Sequence, residues 1–341
     1  MVFAMVTELL SESDRIRARR LIEAAGLRFE DDFDNLLGVF EGRELAGVGA
    51  RAGNLFKMLV VAPEFQDGPT LGALVTELMR AGGHAGHDVF FILTRPQSVY
   101  SFQALNFEPL VHHPQTTLLE FGGGLRRYLN RHAAWVAPGT NGALVMNCNP
   151  FTRGHRFVIE HAARQVDTLY IFVVREDRSV FPFAVRKRLV EEGTAHLRNV
   201  RVLDSSHYAV SSLTFPAYFL KDAEEASQVQ MEVDALLFAR KIAPFFAIHK
   251  RFVGSEPYCR TTRLYNDTLQ RLLPLQGIAV EEIDRVRAAE DAISAYRVRE
   301  ALRNEAYETV RLLVPDTTYR FLMSDEAQPL RDKLKIYQRR H

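Results

Sequence analysis

Residues 146–155 read MNCNPFTRGH. The apolar run Ala143, Leu144, Val145, Met146 leads into this stretch, and the amphipathic RFVIEHAARQ follows it. Pro150 fixes φ and turns the chain out of a strand. Thr152 is a helix N-cap by residue type, because its hydroxyl can accept a first-turn N–H. A helix is therefore expected from Thr152 to Arg164, with Phe157, Val158, Ala162 and Ala163 facing inward. Gly154 lets backbone and ligand approach closely. His155 then falls in the first turn, where hydrogen bonding and the helix dipole both favour phosphate. Asn147 and Asn149 add neutral amide donors beside it.

Working outward, GALVMNC (142–148) and TLYIFVV (168–174) are short, continuously apolar strands, the pattern of a sheet covered on both faces. With the helix between them they form a βαβ unit. VRVLD (200–204), KRFVG (250–254) and IAVEEI (278–283) supply further strands, with helices between. Residues 142–341 are expected to form a doubly wound α/β domain with a parallel sheet. In such sheets ligands bind beyond the carboxyl ends of the strands, where the strand order switches. The opening stretch sits at such a place.

The first half reads differently. A helix is expected over 8–25, with Leu9, Leu10, Ile16, Leu21 and Ile22 on its apolar side. LLGVF (36–40) and ELAGVGA (44–50) flank the turn Glu41-Gly42-Arg43. LFKMLVV (55–61) follows, then a helix from Thr70 to Arg80, a strand at 89–94, a helix at 98–107 and a strand at 116–121. This is an α+β order over 1–125. Residues 126–141 read as a linker: a short basic helix, then APGTNG (137–142) at the edge of the next domain.

Lys+Arg number 43 and Asp+Glu 42, so no basic footprint points to nucleic acid. No run approaches the roughly 18 apolar residues of a membrane span, and the N-terminus turns acidic without a basic leader. Cys148 and Cys259, the two cysteines, have no metal-type spacing. Two free thiols fit a cytoplasmic protein. The His84/His87 and His112/His113 pairs lack supporting ligands and are expected at the surface, and no protein-built metal site is expected.

The T-x-G-H turn resembles the (H/T)xGH signature of the nucleotidyltransferase superfamily. That resemblance implies that His155 and Thr152 act on the α-phosphate of ATP as pyrophosphate leaves, with no covalent enzyme intermediate. A second signature belongs at a later helix start, and ISAYRVREAL (293–302) resembles it, with Ser294, Val298 and Arg299 matching. Arg297 takes the variable slot, and Tyr296 stands where the pattern has Thr or Ser. By the same resemblance Arg299 is catalytic. Met146, Asn147, Asn149, Pro150, Phe151, Gly154, Ser294, Tyr296, Arg297 and Val298 hold ATP, together with Gly254, Ser255 and Glu256 beside the base. Arg186, in a helix just beyond the 168–174 strand, is expected to meet phosphate. Mg²⁺ is implied by ATP rather than by any ligand cluster.

Residues 1–125 resemble the GNAT acetyltransferase fold, chiefly in element order and in VVAPEFQDGPTLG (60–72). Asp67 and Pro69 stand where that family's pyrophosphate loop has glycines. Proline has no N–H to donate, so the fold is expected without ordinary acetyl-CoA binding.

GALVMNCNPFTRGHRFVIEHAA, VVREDRSVFPFAVRKRLV, SSLTFPAYFLKD and HKRFVGSEPYCRTTRLYN together resemble the citrate lyase ligase family, which places a GNAT-like domain before a nucleotidyltransferase domain. The resemblance implies a ligase that adenylates acetate to acetyl-AMP. It then acetylates the phosphopantetheine-type thiol on the acyl-carrier subunit of citrate lyase and so activates the lyase. His207 and His249 are weighed as groups that would activate that thiol, and Lys221 as one reaching phosphate or carrier. Two alternatives stay open: a nucleotidyltransferase acting on another substrate such as a pantetheine phosphate, and a non-catalytic nucleotide-binding partner of a lyase complex.

Overall fold

The computed structural model describes residues 5–175, 179–211, 223–256, 259–284, 287–288 and 291–336. The chain divides into two compact units, Met1–Tyr128 with Phe215–Val233, and Leu129–Thr214 with Asp234–His341.

The first unit begins with β1 (Met5–Glu8), α1 (Glu12–Ala24), β2 (Asn35–Glu41), β3 (Glu44–Ala52) and β4 (Leu55–Val61). It continues through α2 (Thr70–His84), β5 (Phe90–Thr94), α3 (Val99–Gln103), β6 (Glu108–His112), β7 (Thr117–Phe121) and α4 (Gly124–Arg131, as far as Tyr128). Seven strands pair in the order β1-β2-β3-β4-β5-β7-β6. All pairs are antiparallel except β4 and β5, which pair only at Leu55↔Phe91 and Phe56↔Ile92. Beyond that point a cavity of about 290 Å³ opens, lined by Lys57–Val61 on one side and Ile92–Arg95 on the other. This is the acetyltransferase-like architecture expected of the first half.

Several details differ from expectation. α1 buries Ala18 and Ile22, whereas Leu10 and Ile16 are exposed. The helix expected at 98–107 shrinks to Val99–Gln103, and Glu108–His112 forms an edge strand instead. His113 is buried rather than exposed, 2.8 Å from Glu232 of the same unit.

The second unit contains β8 (Asn141–Met146), α5 (Arg153–Ala163), β9 (Thr168–Val173), α6 (Phe183–Thr194), β10 (Val200–Asp204), α7 (Ala223–Leu237, from Asp234 onward) and α8 (Ala243–Phe245). There follow β11 (Ile248–Gly254), α9 (Arg260–Leu272), β12 (Ala279–Ile283), a hairpin of β13 (Arg287–Ala288) with β14 (Asp291–Ala292), and α10 (Ala295–Arg303). The last elements are α11 (Tyr307–Leu313), α12 (Asp316–Met323) and α13 (Gln328–Ile336). The order β10-β9-β8-β11-β12 is parallel throughout.

Continuous apolarity in the strands has the expected cause. In β9, Leu169, Ile171 and Val173 join the core built with α5, α6 and α10–α12. Tyr170 and Phe172 point the other way, with ring centroids 4.9 and 5.6 Å from Phe246. Both faces are covered, and full burial of each such side chain contributes about 1.5–3 kcal/mol. β8 is the strand from which the chain winds outward in both directions, so the switch point, and with it the crevice, falls at its carboxyl end.

Candidate functional site

The turn after β8 is built as its residue types dictate. Thr152 is the N-cap of α5, and its Oγ1 accepts from the His155 N–H at 3.2 Å. The His155 ring returns the bond, with Nδ1 accepting from the Thr152 N–H at 3.1 Å. An acceptor Nδ1 leaves the ring proton on Nε2, so this reciprocal cap selects the tautomer. Phe151 is fully buried behind the imidazole, stacked at 6.0 Å between centroids and 15° between planes. A Cβ on Gly193 of α6 would lie 2.3 Å from the Phe151 ring. A glycine there is therefore what lets Phe151 sit behind His155.

Ser294 caps α10 in the same manner, accepting from the Arg297 N–H at 3.3 Å. The two helix starts come together. A Cβ on Gly154 would lie 3.1 Å from the carbonyl oxygen of Ile293, so the glycine of T-x-G-H serves the approach of the other motif's backbone. Arg299, 4% exposed, donates from Nη1 to the carbonyl of Asn149.

Between these segments lies a cleft of about 280 Å³. Met146, Asn147, Asn149, Thr152, Gly154 and His155 line one side. Ser294, Tyr296 and Arg299 line another, and Gly254 and Glu256 from the end of β11 a third. Asn147 is held by its Oδ1, which accepts from Arg186 Nη1 at 3.0 Å. Asn149 is held by its Oδ1, which accepts from the Phe181 N–H at 3.1 Å, while its buried Nδ2 has no hydrogen-bond partner.

The remaining expected ATP contacts lie elsewhere. Arg186 is fully buried, and its guanidinium donates to the carbonyls of Phe181, Asn147 and Val174. It braces the loop that carries the asparagines and does not line the cleft. Phe151 supports His155 from behind, and Val298 is core. Pro150, Ser255 and Arg297 are also absent from the lining. The Asn149–Pro150 peptide is cis. Phe157, expected to face inward, is 39% exposed, because burial on α5 follows Val158, Ile159, Ala162 and Ala163. His207 and His249 are exposed and line no part of the cleft. Lys221 lies outside the described residues.

Cleft residues that the motifs did not point to include Cys148, Cys259 and Thr262. Cys259 and Thr262 follow the end of β11, and the rule that ligands gather past strand ends was the available signal. Burial pushes the Cys148 thiol up to about 12, with Arg186 opposing only in part. Among the described residues no three His, Cys, Asp or Glu side chains converge on a metal position, and no helix is long and apolar enough to cross a membrane.

Comparison with known proteins follows the same line. Residues 141–322 match the family model described as the citrate lyase ligase C-terminal domain. The [citrate [pro-3S]-lyase] ligase of Klebsiella pneumoniae is 36% identical over 324 residues, spanning 93% of this chain and 95% of that protein. The chain belongs to the citrate lyase ligase family. Another member, from Escherichia coli (strain K12), is 32% identical over 331 residues, 93% of this chain and 94% of its own. A shorter likeness is to the phosphopantetheine adenylyltransferase of Streptococcus gordonii (strain Challis), 33% identical over 100 residues, 28% of this chain and 61% of that enzyme.

Proposed function

We propose that this family member is an ATP-dependent ligase that converts acetate to acetyl-AMP. It then transfers the acetyl group to the phosphopantetheine-type thiol of the citrate lyase acyl-carrier subunit, which activates the lyase. The observation that carries this reading is the single cleft onto which both helix starts open, in a chain that matches ligases over nearly its whole length. The adenylyltransferase likeness covers only 28% of the chain, so transfer of adenylate to a pantetheine phosphate is the less favoured alternative.

The chemistry asks for little acid or base. A carboxylic acid has a pKa near 4, so acetate already carries the charge it needs to attack phosphorus. The difficulty is bringing one anion against another. His155, holding its proton on Nε2, donates to the α-phosphate as charge builds there. Arg299 and the first-turn N–H groups of α10 take the departing pyrophosphate. Catalysis is positioning plus preorganised electrostatics. Mg²⁺ arriving with ATP would be held chiefly by the triphosphate and water and would offset phosphate charge.

Pro69 at the N-cap of α2 offers no N–H to a pyrophosphate. On this reading 1–125 is a GNAT-like domain that does not bind acetyl-CoA in the ordinary way, 126–141 a linker and 142–341 the catalytic domain. The enzyme works in the cytoplasm, away from membrane and nucleic acid; its free thiols agree with a reducing compartment.

The test incubates the protein with ATP, acetate and the deacetylated carrier subunit. A gain of one acetyl group by the carrier, dependent on ATP and acetate together, supports the reading. Adenylate transfer to a pantetheine phosphate would replace it with the alternative, and no turnover of ATP would leave only a binding partner.

A further inference from the structure

The chain contains two cysteines, neither in a disulfide, and both line the cleft described above. They differ in kind. Cys148 is 1% exposed and its thiol is held neutral by burial. Cys259 is half-buried and is the N-cap of α9, a helix of 13 residues, with its side chain making no capping hydrogen bond. Its N–H donates to Glu256 Oε1 at 3.1 Å, which fixes the main chain at that point. Negative charge on an atom at a helix N-cap is stabilised by the first-turn N–H groups and the helix dipole. A thiolate, and not a thiol, is the nucleophile in acyl transfer.

A second observation points to a ligand in the same space. Asn149, 3% exposed, lines this cleft with its Oδ1 occupied by the Phe181 N–H and its Nδ2 without a hydrogen-bond partner. A buried amide donor left unmatched costs free energy unless a ligand meets it. An acyl carbonyl oxygen becoming an oxyanion is a fitting acceptor. The cleft thus has a half-buried thiol at a helix N-cap and an unmatched buried amide donor in its lining.

We propose that Cys259 is the first acceptor of the acetyl group, relaying it to the carrier thiol. The inference rests on the ligase reading above and deepens it. In the first step the Cys259 thiolate attacks the carboxyl carbon of acetyl-AMP. A C–S bond forms, the C–O bond to the phosphate breaks, AMP leaves with the electron pair, and the proton of the thiol goes to solvent. In the second step the carrier thiolate attacks the thioester carbon. A new C–S bond forms, the bond to Cys259 breaks, and Cys259 takes up the proton that the carrier thiol gave up. No oxidant or reductant is needed. The relay turns attack by a bulky partner on a buried mixed anhydride into attack by a group already in place, an advantage of proximity.

The experiment uses the full chain with ATP and radiolabelled acetate, without carrier. Pyrophosphate release is followed first, and its dependence on acetate tests the ligase reading by itself. The protein is then denatured, freed of small molecules, digested and mapped. The relay predicts one acetyl group per chain, on the peptide containing Cys259, removed by neutral hydroxylamine and passed to carrier added before denaturation. It also predicts no label on Cys259→Ala. Acetate-dependent pyrophosphate release with no label surviving denaturation, or with label mapped to another residue, overturns the relay and leaves the ligase standing. Release that ignores acetate removes both. Because the mapping is done on the unaltered chain, the result does not hang on whether the variant folds.

Discussion

The Arg299 guanidinium donates to the Asn149 carbonyl across 150 positions of sequence. Both residues are buried and both line the cleft. One bond therefore ties the start of α10 to the turn between β8 and α5, and the same side chain brings a positive charge to the place where pyrophosphate would leave. Replacing it with an apolar chain of similar length, Arg299→Met, removes both roles. The expected cost is about 1–3 kcal/mol of stability for a buried carbonyl losing a donor. Pyrophosphate release should fall by roughly 10²–10³, the usual effect of deleting one preorganised donor. Urea unfolding and the rate of release check the two numbers. A variant with the unaltered rate would show that Arg299 serves packing alone.

Gly154 is the other point where the two helix starts meet. A methyl group there sits 3.1 Å from the Ile293 carbonyl, tighter than ordinary contact, so one segment must yield by a few tenths of an ångström. Gly154→Ala is expected to fold and to lose about tenfold or more in pyrophosphate release, since displacements of this kind are amplified in the rate. An unchanged rate would mean that the spacing between the helix starts is not under tight control.

The two thiols should separate chemically. With burial holding Cys148 neutral up to about 12, iodoacetamide at mildly alkaline pH should label Cys259 and spare Cys148 in the native protein. ATP in the cleft should slow the labelling. Mass mapping of the peptides reads the outcome. Equal labelling of both, or labelling indifferent to ATP, would contradict the placement of Cys259 beside the nucleotide.

α5, which begins at the cleft, is tied to the sheet by Glu281 of β12. His161 of α5, Gln165 just beyond its end and Lys250 of β11 all bond its carboxylate. Burial alone would raise this carboxyl, but those three partners outweigh it and lower it from 4.5 to about 2. A carboxyl depressed on folding adds stability above about pH 4.5, and that stability is lost as pH falls through about 2. The side chain is 29% exposed, so screening keeps the effect modest. Glu281→Gln should therefore lower Tm slightly at neutral pH, with the gap to the unaltered protein closing between about pH 4.5 and 2. A gap that holds constant over that range would argue against the carboxylate as the tie.

The parallel sheet was legible because its central strands β8 and β9 are short and almost continuously apolar, and a helix-length segment separates them. VRVLD coincides with β10 of that sheet, and LFKMLVV with β4 of the other. Edge elements were harder to read. Glu108–His112 carries Pro109, which argues against a strand by its missing N–H, and the pairing with β7 does shift register between Pro109 and Val111. Within the site, Thr152, Gly154, His155, Ser294 and Arg299 were readable from local motif alone. Arg186 was not. An arginine in an amphipathic helix looks the same in sequence whether it meets phosphate or three main-chain carbonyls, and only the fold of the loops around Asn147 and Phe181 distinguishes the two. Phe151 misled in the opposite sense, being part of the motif yet turned toward Gly193 in the core.

The central claim is that one triphosphate bridges the two helix starts. A crystal structure with a slowly hydrolysed ATP analogue measures this directly. The account predicts phosphate oxygens within hydrogen-bond distance of His155 Nε2 and also of Arg299 or the first-turn N–H groups of α10. An analogue bound outside this cleft, or touching one helix start while the other stays remote, would contradict it.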